Sequence, residues 1–393
     1  MTSWKRTLHA ALFAQVCSIT GFMFVLPFLP RYIRQLGVGD GSLEWWAGIV
    51  GAGPAFTMVV FAPLWGAVAD RFGRRLMVMR AMFGGAVVLT LMGFVRSPQE
   101  LLICRLFQGA VTGTITANVA LVASVAPRER SGYALGMMQM SVFVGSALGP
   151  LFGGMLADLL GYRGPFLVSG VLLLSAGLVV KFLTEEGPRP LASGVGRAGG
   201  GFRQVLAAGG FLAVVLALVL LRFAGALAAP TFPLFVETFY GRRAGVDSVT
   251  GAIIALGAVA SAIGAAALGR LSDSIGAKKV LVASSLVGAV AAVLHALARS
   301  VGELFALRAL LGLATGGMIP AANAIIRSVT RDEDVGKAYG VTASLRAVGW
   351  GLGMLAGGWL ATGGRYRLPF VLMGGCLAVT AAFVAWRIRP RAG

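Results

Sequence analysis

Two long apolar runs are separated by one short charged segment, Gly66-Ala67-Val68-Ala69-Asp70-Arg71-Phe72-Gly73-Arg74-Arg75. A second copy, Gly269-Arg270-Leu271-Ser272-Asp273-Ser274-Ile275-Gly276-Ala277-Lys278-Lys279, follows at a shift of 203 residues. The copy keeps both glycines, the aspartate and the paired cations. Each segment is predicted to turn sharply between two closely packed antiparallel helices, with its glycines supplying the backbone freedom.

The repeat extends well beyond these two segments. The shift of 203 residues also relates Pro27, Pro30 and Arg105 to Pro230, Pro233 and Arg308. After one additional residue the shift becomes 204, and it relates Gly132, Gly136, Arg163, Pro165, Phe166 and Gly170 to Gly336, Gly340, Arg367, Pro369, Phe370 and Gly374. Internal repetition fixes architecture more firmly than local propensity does. The chain is therefore predicted to contain two halves of one topology, as in one large class of membrane transporters.

The composition places the chain in a membrane. Hydrophobic residues make up 57%, charged residues only 12%, and the mean hydropathy is +0.84. A membrane span needs about 20 apolar residues. Twelve runs meet that requirement, at 8-30, 44-65, 76-95, 101-124, 133-157, 165-183, 206-230, 246-268, 279-298, 303-326, 338-361 and 368-388. The predicted fold is all-α integral membrane, with twelve transmembrane helices in two pseudo-symmetric six-helix bundles: 1-184, a Gly-, Pro- and Arg-rich cytoplasmic linker 185-205, and 206-393.

The charge of +19 orients the chain and does not indicate nucleic-acid binding, because the cations are spread among short loops. With the N-terminus inside, 21 of the 34 Lys and Arg residues lie on the cytoplasmic side or at the cytoplasmic ends of spans, 9 lie on the outer side, and 4 lie deep within spans. The positive-inside rule then predicts a multi-pass cell-membrane protein with both termini and both repeated segments in the cytoplasm. Cys17, Cys104 and Cys376 each lie within a predicted span and are interpreted as packing residues.

The sequence contains no nucleotide-binding loop, metal-ligand cluster or nucleophile with a base. An enzyme is therefore not predicted, and neither is a cofactor or a metal. Glycine is abundant, at 57 residues, and in lipid such small residues allow helix backbones to approach closely.

The repeated segments are interpreted as a conformational latch. Asp70 is placed beside a helix end, where its charge can interact with an opposing helix N-terminus or with Arg74. Such a contact can hold one cytoplasmic arrangement and release in another. The alternative is a solvated basic loop that only sets topology. The predicted latch residues are Gly66, Asp70, Arg71, Gly73, Arg74, Arg75, Gly269, Asp273, Gly276, Lys278 and Lys279.

Polar residues within spans are interpreted as lining a cavity or relay. In span four the spacing of three and four residues places Arg105, Gln108, Thr112 and Thr116 on one helical face. A cation in hydrocarbon costs about 2.5 kcal/mol or more and normally faces a bundle interior. The wider candidate set is Arg105, Gln108, Thr112, Arg222, Arg308, Asn323 and Arg346. Alternatively, these arginines bond neighbouring carbonyls and Asn323 joins two helices.

No Asp or Glu lies in the middle of any predicted span. The interior is therefore cationic, which favours an anionic or partly anionic ligand. Snorkelling of the arginines or bonding to carbonyls would neutralise that bias.

Span five has the densest glycine pattern. Glycines four residues apart form a flat seam, and proline removes a backbone hydrogen bond and permits a bend. The seam is predicted to act as a pivot, with close helix packing alone as the alternative. Its residues are Gly145, Gly149, Pro150, Gly153 and Gly154.

Three stretches resemble signatures of the major facilitator superfamily: GAVADRFGRR, the RLFQG of span four, and GMMQMSVFVGSALGPLFGG of span five. The third is similar to the antiporter signature of the twelve-span drug:proton exporters. The resemblance implies a monomeric rocker-switch carrier whose spans 1, 4, 7 and 10 line a central cavity. It places Asp70 and Arg74 in the latch, Arg105 at a proton-relay position, and the glycines of span five in the pivot.

The chain departs from that family in having no embedded acid in its early spans. A proton step would then use Asp70, a carboxylate at the mouth such as Glu44, or the substrate.

The expected function is secondary active export of small amphipathic compounds by alternating access, driven by the proton gradient. The partners implied are a small-molecule substrate, protons and the lipid bilayer, with no nucleic acid. Three alternatives remain open: export of a defined anionic or sugar-like metabolite, a lipid flippase or scramblase, and a sensor without transport.

Overall fold

A computed structural model describes residues 3–186, 211–329 and 335–387, and within these ranges regular structure is helical throughout. The first half contains α1 (Ser3–Met23), α2 (Leu29–Gln35), α3 (Leu43–Phe72), α4 (Arg74–Met92), α5 (Pro98–Val111), α6 (Thr114–Val125), α7 (Ser131–Leu160) and α8 (Gly164–Leu183). The second half contains α9 (Phe211–Leu227), α10 (Phe232–Tyr240), α11 (Val246–Ile275), α12 (Ala277–Leu297), α13 (Val301–Val329), α14 (Val335–Ala361) and α15 (Leu368–Arg387).

The helices correspond to the twelve predicted spans. Within the described ranges, ten stretches are long and apolar enough to cross a membrane, two of them made of paired helices, α5 with α6 and α9 with α10. The remaining two long helices, α1 and α14, cover predicted spans one and eleven. After α1 and after α9 the chain turns and forms a short helix, α2 or α10, that has a proline at its second residue, Pro30 or Pro233.

The repeated charged segments are tighter turns than the sequence predicts. Helix α3 continues through Gly66 to Phe72, and α4 begins at Arg74, so Gly73 alone makes the turn, with φ +101°. Gly276 does the same between α11 and α12, with φ +96°. Such values favour glycine because a Cβ would clash with the backbone. The prediction that Gly66 and Gly269 also serve the turn is wrong, since both are helical.

The chain packs as two compact units. The described residues of unit 1 are 3–38, 53–186 and 241–255, and those of unit 2 are 39–52, 211–240, 256–329 and 335–387. The first turns of α3 therefore belong to unit 2, and the first turns of α11 belong to unit 1. The division into bundles 1-184 and 206-393 stays a prediction, and most of the predicted linker lies outside the described residues.

Glycine seams hold a pair of helices together in each unit. In unit 1, Gly145 and Gly149 of α7 pack against α1, and Gly153 packs against the backbone of Phe24, the residue that follows α1. A Cβ at Gly149 would lie 2.9 Å from the Thr20 carbonyl oxygen. In unit 2, a second seam of glycines on α14 packs in the same way against the carbonyls of Val219, Phe223 and Leu227 on α9; its members are Gly349, Gly353 and Gly357. The missing side chains let each pair approach almost to backbone contact.

Other contacts recur in both units at the shifts found in the sequence. Ser97 and Glu100 cap the start of α5, and Ser300 and Glu303 cap the start of α13. The rings of Tyr32 and Phe166 lie 5.2 Å apart, tilted by 46°. Those of Phe235 and Phe370 also lie 5.2 Å apart, tilted by 45°. The repeat is thus expressed in side-chain contacts as well as in helix order.

Candidate functional site

Arg105 lies deep inside unit 1. Its side chain is only 5% exposed, and its Nη1 donates to the Gln108 amide oxygen at 2.8 Å. Its Cβ packs against the small surface left by Gly53 on α3. The Nε of Arg105 has no hydrogen-bond partner among the described residues. A buried cation with an unused donor is poised to bind an acceptor that enters the bundle.

The polar face predicted for span four is interrupted. Helix α5 ends at Val111 and α6 starts at Thr114, with Gly113 in the left-handed region at φ +117°. Arg105 and Gln108 remain together, one turn before the break. Thr112 lies at the break, half-buried, and Thr116 is exposed one turn into α6.

Two residues that the sequence reasoning did not select hold this break. Trp65 of α3 donates its indole N–H to the Ala110 carbonyl at 2.6 Å. Arg80 of α4 donates to the Thr112 carbonyl at 3.2 Å, and its guanidinium stacks on the Trp65 ring at 3.6 Å. These two donors satisfy carbonyls near the end of α5, which the break leaves without helical partners. Arg80 lies one and a half turns inside predicted span three, a position that could have indicated a role.

Arg308 is the unit 2 counterpart of Arg105. Its guanidinium lies over the Phe232 ring at 4.8 Å, and its side chain passes 3.0 Å from where a Cβ of Gly257 would lie. The same close helix approach recurs around both arginines, since Gly109 packs on Pro54 and Gly312 packs on Gly257. Each arginine therefore occupies a niche made by a glycine contact between two helices.

The remaining predicted cavity residues lie in unit 2. Arg222 and Arg346 are half-buried on α9 and α14, which pack along the glycine seam. Asn323 is half-buried on α13. An arginine inside a helical bundle is costly unless water, a carbonyl or an anion lies near it.

A buried amide pair in unit 1 was also missed. Asn118 of α6 donates to the Gln15 amide oxygen of α1 at 3.0 Å, and both side chains are fully buried. The Gln15 amide nitrogen and the Asn118 oxygen have no further partner among the described residues. Asn118 does not continue the spacing of Arg105, Gln108, Thr112 and Thr116 in predicted span four, and Gln15 lies between Ala14 and Val16 in predicted span one. No periodic pattern in the sequence therefore marks either amide.

At the repeated turns the structure gives partners for the cations. The backbone N–H of Arg74 donates to Glu186 at 2.6 Å, and its side chain donates to the Ala120 carbonyl at 3.1 Å. Arg71 is exposed and lies over the Phe72 ring at 5.3 Å. The side chain of Asp70 lies outside the described part of the chain. The latch therefore stays a prediction, and Glu186 joins it as a carboxylate at the N-terminus of α4.

The cations that the shift of 203 residues relates, Arg75 and Lys278, make the same contact. Arg75 donates to the Lys181 carbonyl near the end of α8, and Lys278 donates to the Ala385 carbonyl near the end of α15 at 2.7 Å. Asp273 and Lys279 are exposed at the unit 2 turn. Each cation thus donates to a carbonyl near the C-terminal end of a helix, where the last carbonyls lack helical partners.

Three of the five predicted pivot residues, Gly145, Gly149 and Gly153, form the glycine seam of α7. Pro150 lies inside α7, which continues unbroken to Leu160. Gly154 faces the other way from the seam and packs against the backbone of Asp247. Bending at Pro150 stays a prediction, whereas the close contact of α7 with α1 is established.

A sequence model of the Major Facilitator Superfamily matches residues 11–247 and 214–393. Multidrug resistance protein MdtG of Dickeya zeae (strain Ech586) is 33% identical over 390 residues, covering 98% of this chain and 94% of that protein. Multidrug resistance protein MdtG of Citrobacter koseri is 31% identical over 396 residues, covering 99% and 96%.

Solved structures share the fold at much lower identity. A bacterial homologue of the human lysosomal transporter Spinster, in an inward-facing and occupied conformation, has a TM-score of 0.83 at 16% identity and covers 98% of this chain and 97% of its own. A mutant of the nucleoside transporter NupG has a TM-score of 0.76 at 15% identity, covering 96% and 99%.

The match to the Major Facilitator Superfamily model over most of the chain, together with the membrane-spanning helices and the near-full-length relatives, shows a multi-pass membrane transporter and not an enzyme. The chain belongs to the major facilitator superfamily, and the helices of its described residues, which cover the twelve predicted spans, form that family's fold.

Proposed function

We propose that this transporter exports small amphipathic compounds by alternating access, driven by the proton gradient. The observation that carries the proposal is the near-full-length similarity, at 33% and 31% identity, to two proteins named multidrug resistance protein MdtG. The resemblance of the span-five glycines to the antiporter signature points the same way.

The internal packing of each half of the sequence supports alternating access. Each half has a glycine seam, a capped helix start and a carbonyl-bound cation at its turn. Closely packed interiors move as bodies and do not deform continuously. Two bodies of one topology are the parts that a rocking carrier needs. The repeated turns, with Asp70 and Asp273, would latch the cytoplasmic arrangement.

The buried arginines support a role in substrate or proton handling. Arg105 has an unused Nε donor beside Gln108, and Arg308 lies on an aromatic ring. An amphipathic compound can pack its apolar part against hydrophobic side chains and hydrogen-bond its polar part to a group such as Arg105. The proton step is assigned to Asp70, to a carboxylate at the mouth such as Glu44, or to the substrate, with Arg105 as the relay position.

A second candidate is export of an anionic or sugar-like metabolite. The observation that favours it is the cationic character of the candidate set, in which Arg105, Arg222, Arg308 and Arg346 are all at least half-buried. Fixed cations raise the local concentration of an anionic ligand.

The proposed orientation places both chain termini and both repeated turns in the cytoplasm, because 21 of 34 Lys and Arg residues then face inward. The opposite ends of α3 and α11, which begin at Leu43 and Val246, are then outer ends. The protein is proposed to act as a monomer in the cell membrane.

Uptake into inverted membrane vesicles separates the two candidates. The chain and its variants Arg105→Ala and Arg308→Ala would be compared for a labelled lipophilic cation and a labelled organic anion, with the exposed Arg299→Ala as the control. If the protein exports amphipathic compounds, inverted vesicles that contain the unsubstituted chain should take up the lipophilic cation. Anion uptake that both arginine variants lose selectively would favour the second candidate. Equal loss of both substrates would show that the arginines are structural, and lipid translocation without drug transport would favour a flippase.

A further inference from the structure

A carboxylate–tyrosine contact occurs at the outer end of each unit. In unit 2, Glu44 at the start of α3 accepts a hydrogen bond from the Tyr366 hydroxyl at 3.0 Å. In unit 1, Asp247 at the start of α11 is hydrogen-bonded to Tyr162, which follows α7. Both carboxylates are only 2% exposed. These are the acids nearest the outer ends of their helices, and neither tyrosine belongs to the candidate site.

The two contacts are copies of each other. Glu44 and Asp247 are related by the shift of 203 residues, and Tyr162 and Tyr366 by the shift of 204. The backbone of each acid packs directly against a glycine. A Cβ at Gly154 would clash with the Asp247 carbonyl, and a Cβ at Gly358 would clash with the Glu44 carbonyl. One turn further along, Gly48 packs on the Met354 carbonyl and Gly251 on the Pro150 carbonyl, again at matching positions. Because the same contacts recur at matching positions in both units, we infer that the two carboxylate–tyrosine pairs have the same function.

Each contact joins segments from different halves of the sequence. Glu44 lies in the first half of the sequence and Tyr366 in the second, whereas Asp247 lies in the second half and Tyr162 in the first. The structure packs both members of each contact into one compact unit. In a carrier that rocks between two arrangements, contacts within a half persist and contacts between halves are made and broken. The two contacts are therefore of the kind that must change during transport.

The chemistry of the Glu44 contact suits a reversible interaction. Its Oε2 is buried and has no hydrogen-bond partner within the described residues. A buried carboxylate oxygen without a partner costs free energy that is regained when water reaches it. The packed arrangement is therefore held by the Tyr366 hydrogen bond and the glycine contact, and opposed by the unsatisfied oxygen.

The two contacts differ in one residue. Asp247 also forms an ion pair with Arg31, which is 5% exposed and donates as well to the Pro27 carbonyl at 3.0 Å. The position equivalent to Arg31 in unit 2 is Leu234, so Glu44 has no corresponding cation. Removing the Asp247 charge would leave a buried arginine without its carboxylate, which is costly.

We propose that Glu44 with Tyr366 and Asp247 with Tyr162 are paired outer latches, positioning residues that hold the outer ends of α3 and α11 in the packed arrangement and separate when substrate is released outward. The inference rests on the proposed alternating access and orientation. It concerns the outer ends, whereas the repeated turns lie at the opposite ends of the same helices.

The test measures distances in the purified full-length protein in lipid nanodiscs, without substrate. Spin labels at Trp45→Cys and Trp359→Cys report the Glu44 contact, and labels at Leu159→Cys and Ala244→Cys report the Asp247 contact; all four positions are exposed. The three native cysteines would be replaced by alanine, with the labelled parent as reference. Tyr366→Phe and Tyr162→Phe each remove one hydroxyl, and Tyr133→Phe, an exposed tyrosine on α7, is the matched control.

Loss of one hydrogen bond is expected to raise the ratio of separated to packed molecules about fivefold at the affected contact. Combining Tyr366→Phe with Glu44→Gln should add little to either change alone, because both remove the same contact. Asp247→Asn should separate its contact more than Glu44→Gln separates the other, and equal effects would overturn the role given to Arg31. Unchanged distances in both tyrosine variants, or equal changes in Tyr133→Phe, would overturn the latches. Transport by the parent protein tests the proposed function separately, because the distance measurement needs no flux.

Discussion

Adding one methyl group to the glycine seam of α7 tests how the bundles are held together. In Gly149→Ala the new Cβ would lie 2.9 Å from the Thr20 carbonyl oxygen and would overlap the Met23 side chain. Gly136 lies on the same helix and has no atom within 4 Å of the position of its Cβ, so Gly136→Ala is the matched control. Both substitutions replace a helical glycine by alanine, and they differ in the space available.

The magnitude follows from that difference. Alanine in place of glycine stabilises a helix by about 1 kcal/mol, and this gain is common to both variants. Overpacking a close contact costs about 1–3 kcal/mol, because α1 must move away from α7. Gly149→Ala is therefore expected to be less stable than Gly136→Ala by about 1–3 kcal/mol. Gly353→Ala in the second seam should be destabilised like Gly149→Ala, because the new Cβ at position 353 would clash with the Phe223 carbonyl oxygen.

The assay is equilibrium unfolding of the purified protein in mixed micelles by a denaturing detergent, followed by circular dichroism. The free energies of unfolding of the three variants would be compared at one lipid composition. If Gly149→Ala and Gly353→Ala prove as stable as Gly136→Ala, the close helix contacts along the two seams do not require glycine. That result would refute the proposed role of the glycines in holding the helix pairs together.

Three further predictions concern the turn and the buried arginine. Gly73→Ala should destabilise the protein by about 1–3 kcal/mol, because its φ of +101° is strained for alanine, whereas helical Gly66→Ala should not, and equal unfolding curves would contradict this. Gln108→Leu removes the amide acceptor of the buried Arg105, so it should lower the free energy of unfolding by about 1–3 kcal/mol and reduce transport. Normal stability and normal vesicle uptake would show that this hydrogen bond is dispensable. Asp70→Asn should weaken the cytoplasmic latch and raise the labelling of a reporter cysteine on that side, and unchanged labelling would count against a latch.

The repeat and the spans could be predicted from the sequence because their signals are strong and local. A run of about 20 apolar residues must cross the bilayer as a helix. The shifts of 203 and 204 residues predicted one topology for both halves, and contacts such as Arg75 with Lys181 and Lys278 with Ala385 recur at those shifts. The seam glycines of α7 were recognised from their spacing, although their contact partner was not.

Details that depend on partners distant in the sequence could not be predicted. The break of span four at Gly113 requires the donors of Trp65 and Arg80, which come from α3 and α4. A periodic polar face does not reveal that its helix is interrupted. Gly66 reads as a turn residue in the sequence because glycine is permissive, yet nothing around it prevents the helix from continuing to Phe72.

Acids at helix starts were also hard to interpret from the sequence. Glu44 and Asp247 lie at the outer ends of predicted spans two and eight, and the sequence does not show which residues they contact. The tyrosine that hydrogen-bonds to Asp247 is more than 80 residues away, and the one that hydrogen-bonds to Glu44 is more than 300 residues away. Glu186 follows the last helix of the first half and was assigned to the linker, yet it caps α4 through the backbone of Arg74. In each case the partner is set by tertiary packing and not by local propensity.

Proton-coupled export is tested most directly by transport measurements on the purified protein in proteoliposomes under an imposed pH gradient. A chemically diverse panel of lipophilic cations, neutral amphiphiles and organic anions would be tested, with an equal membrane potential and no pH gradient as the control condition. We expect several unrelated amphipathic compounds to move against their gradients only when protons can flow the opposite way. Movement of none of them, or movement that ignores the pH gradient, would contradict it.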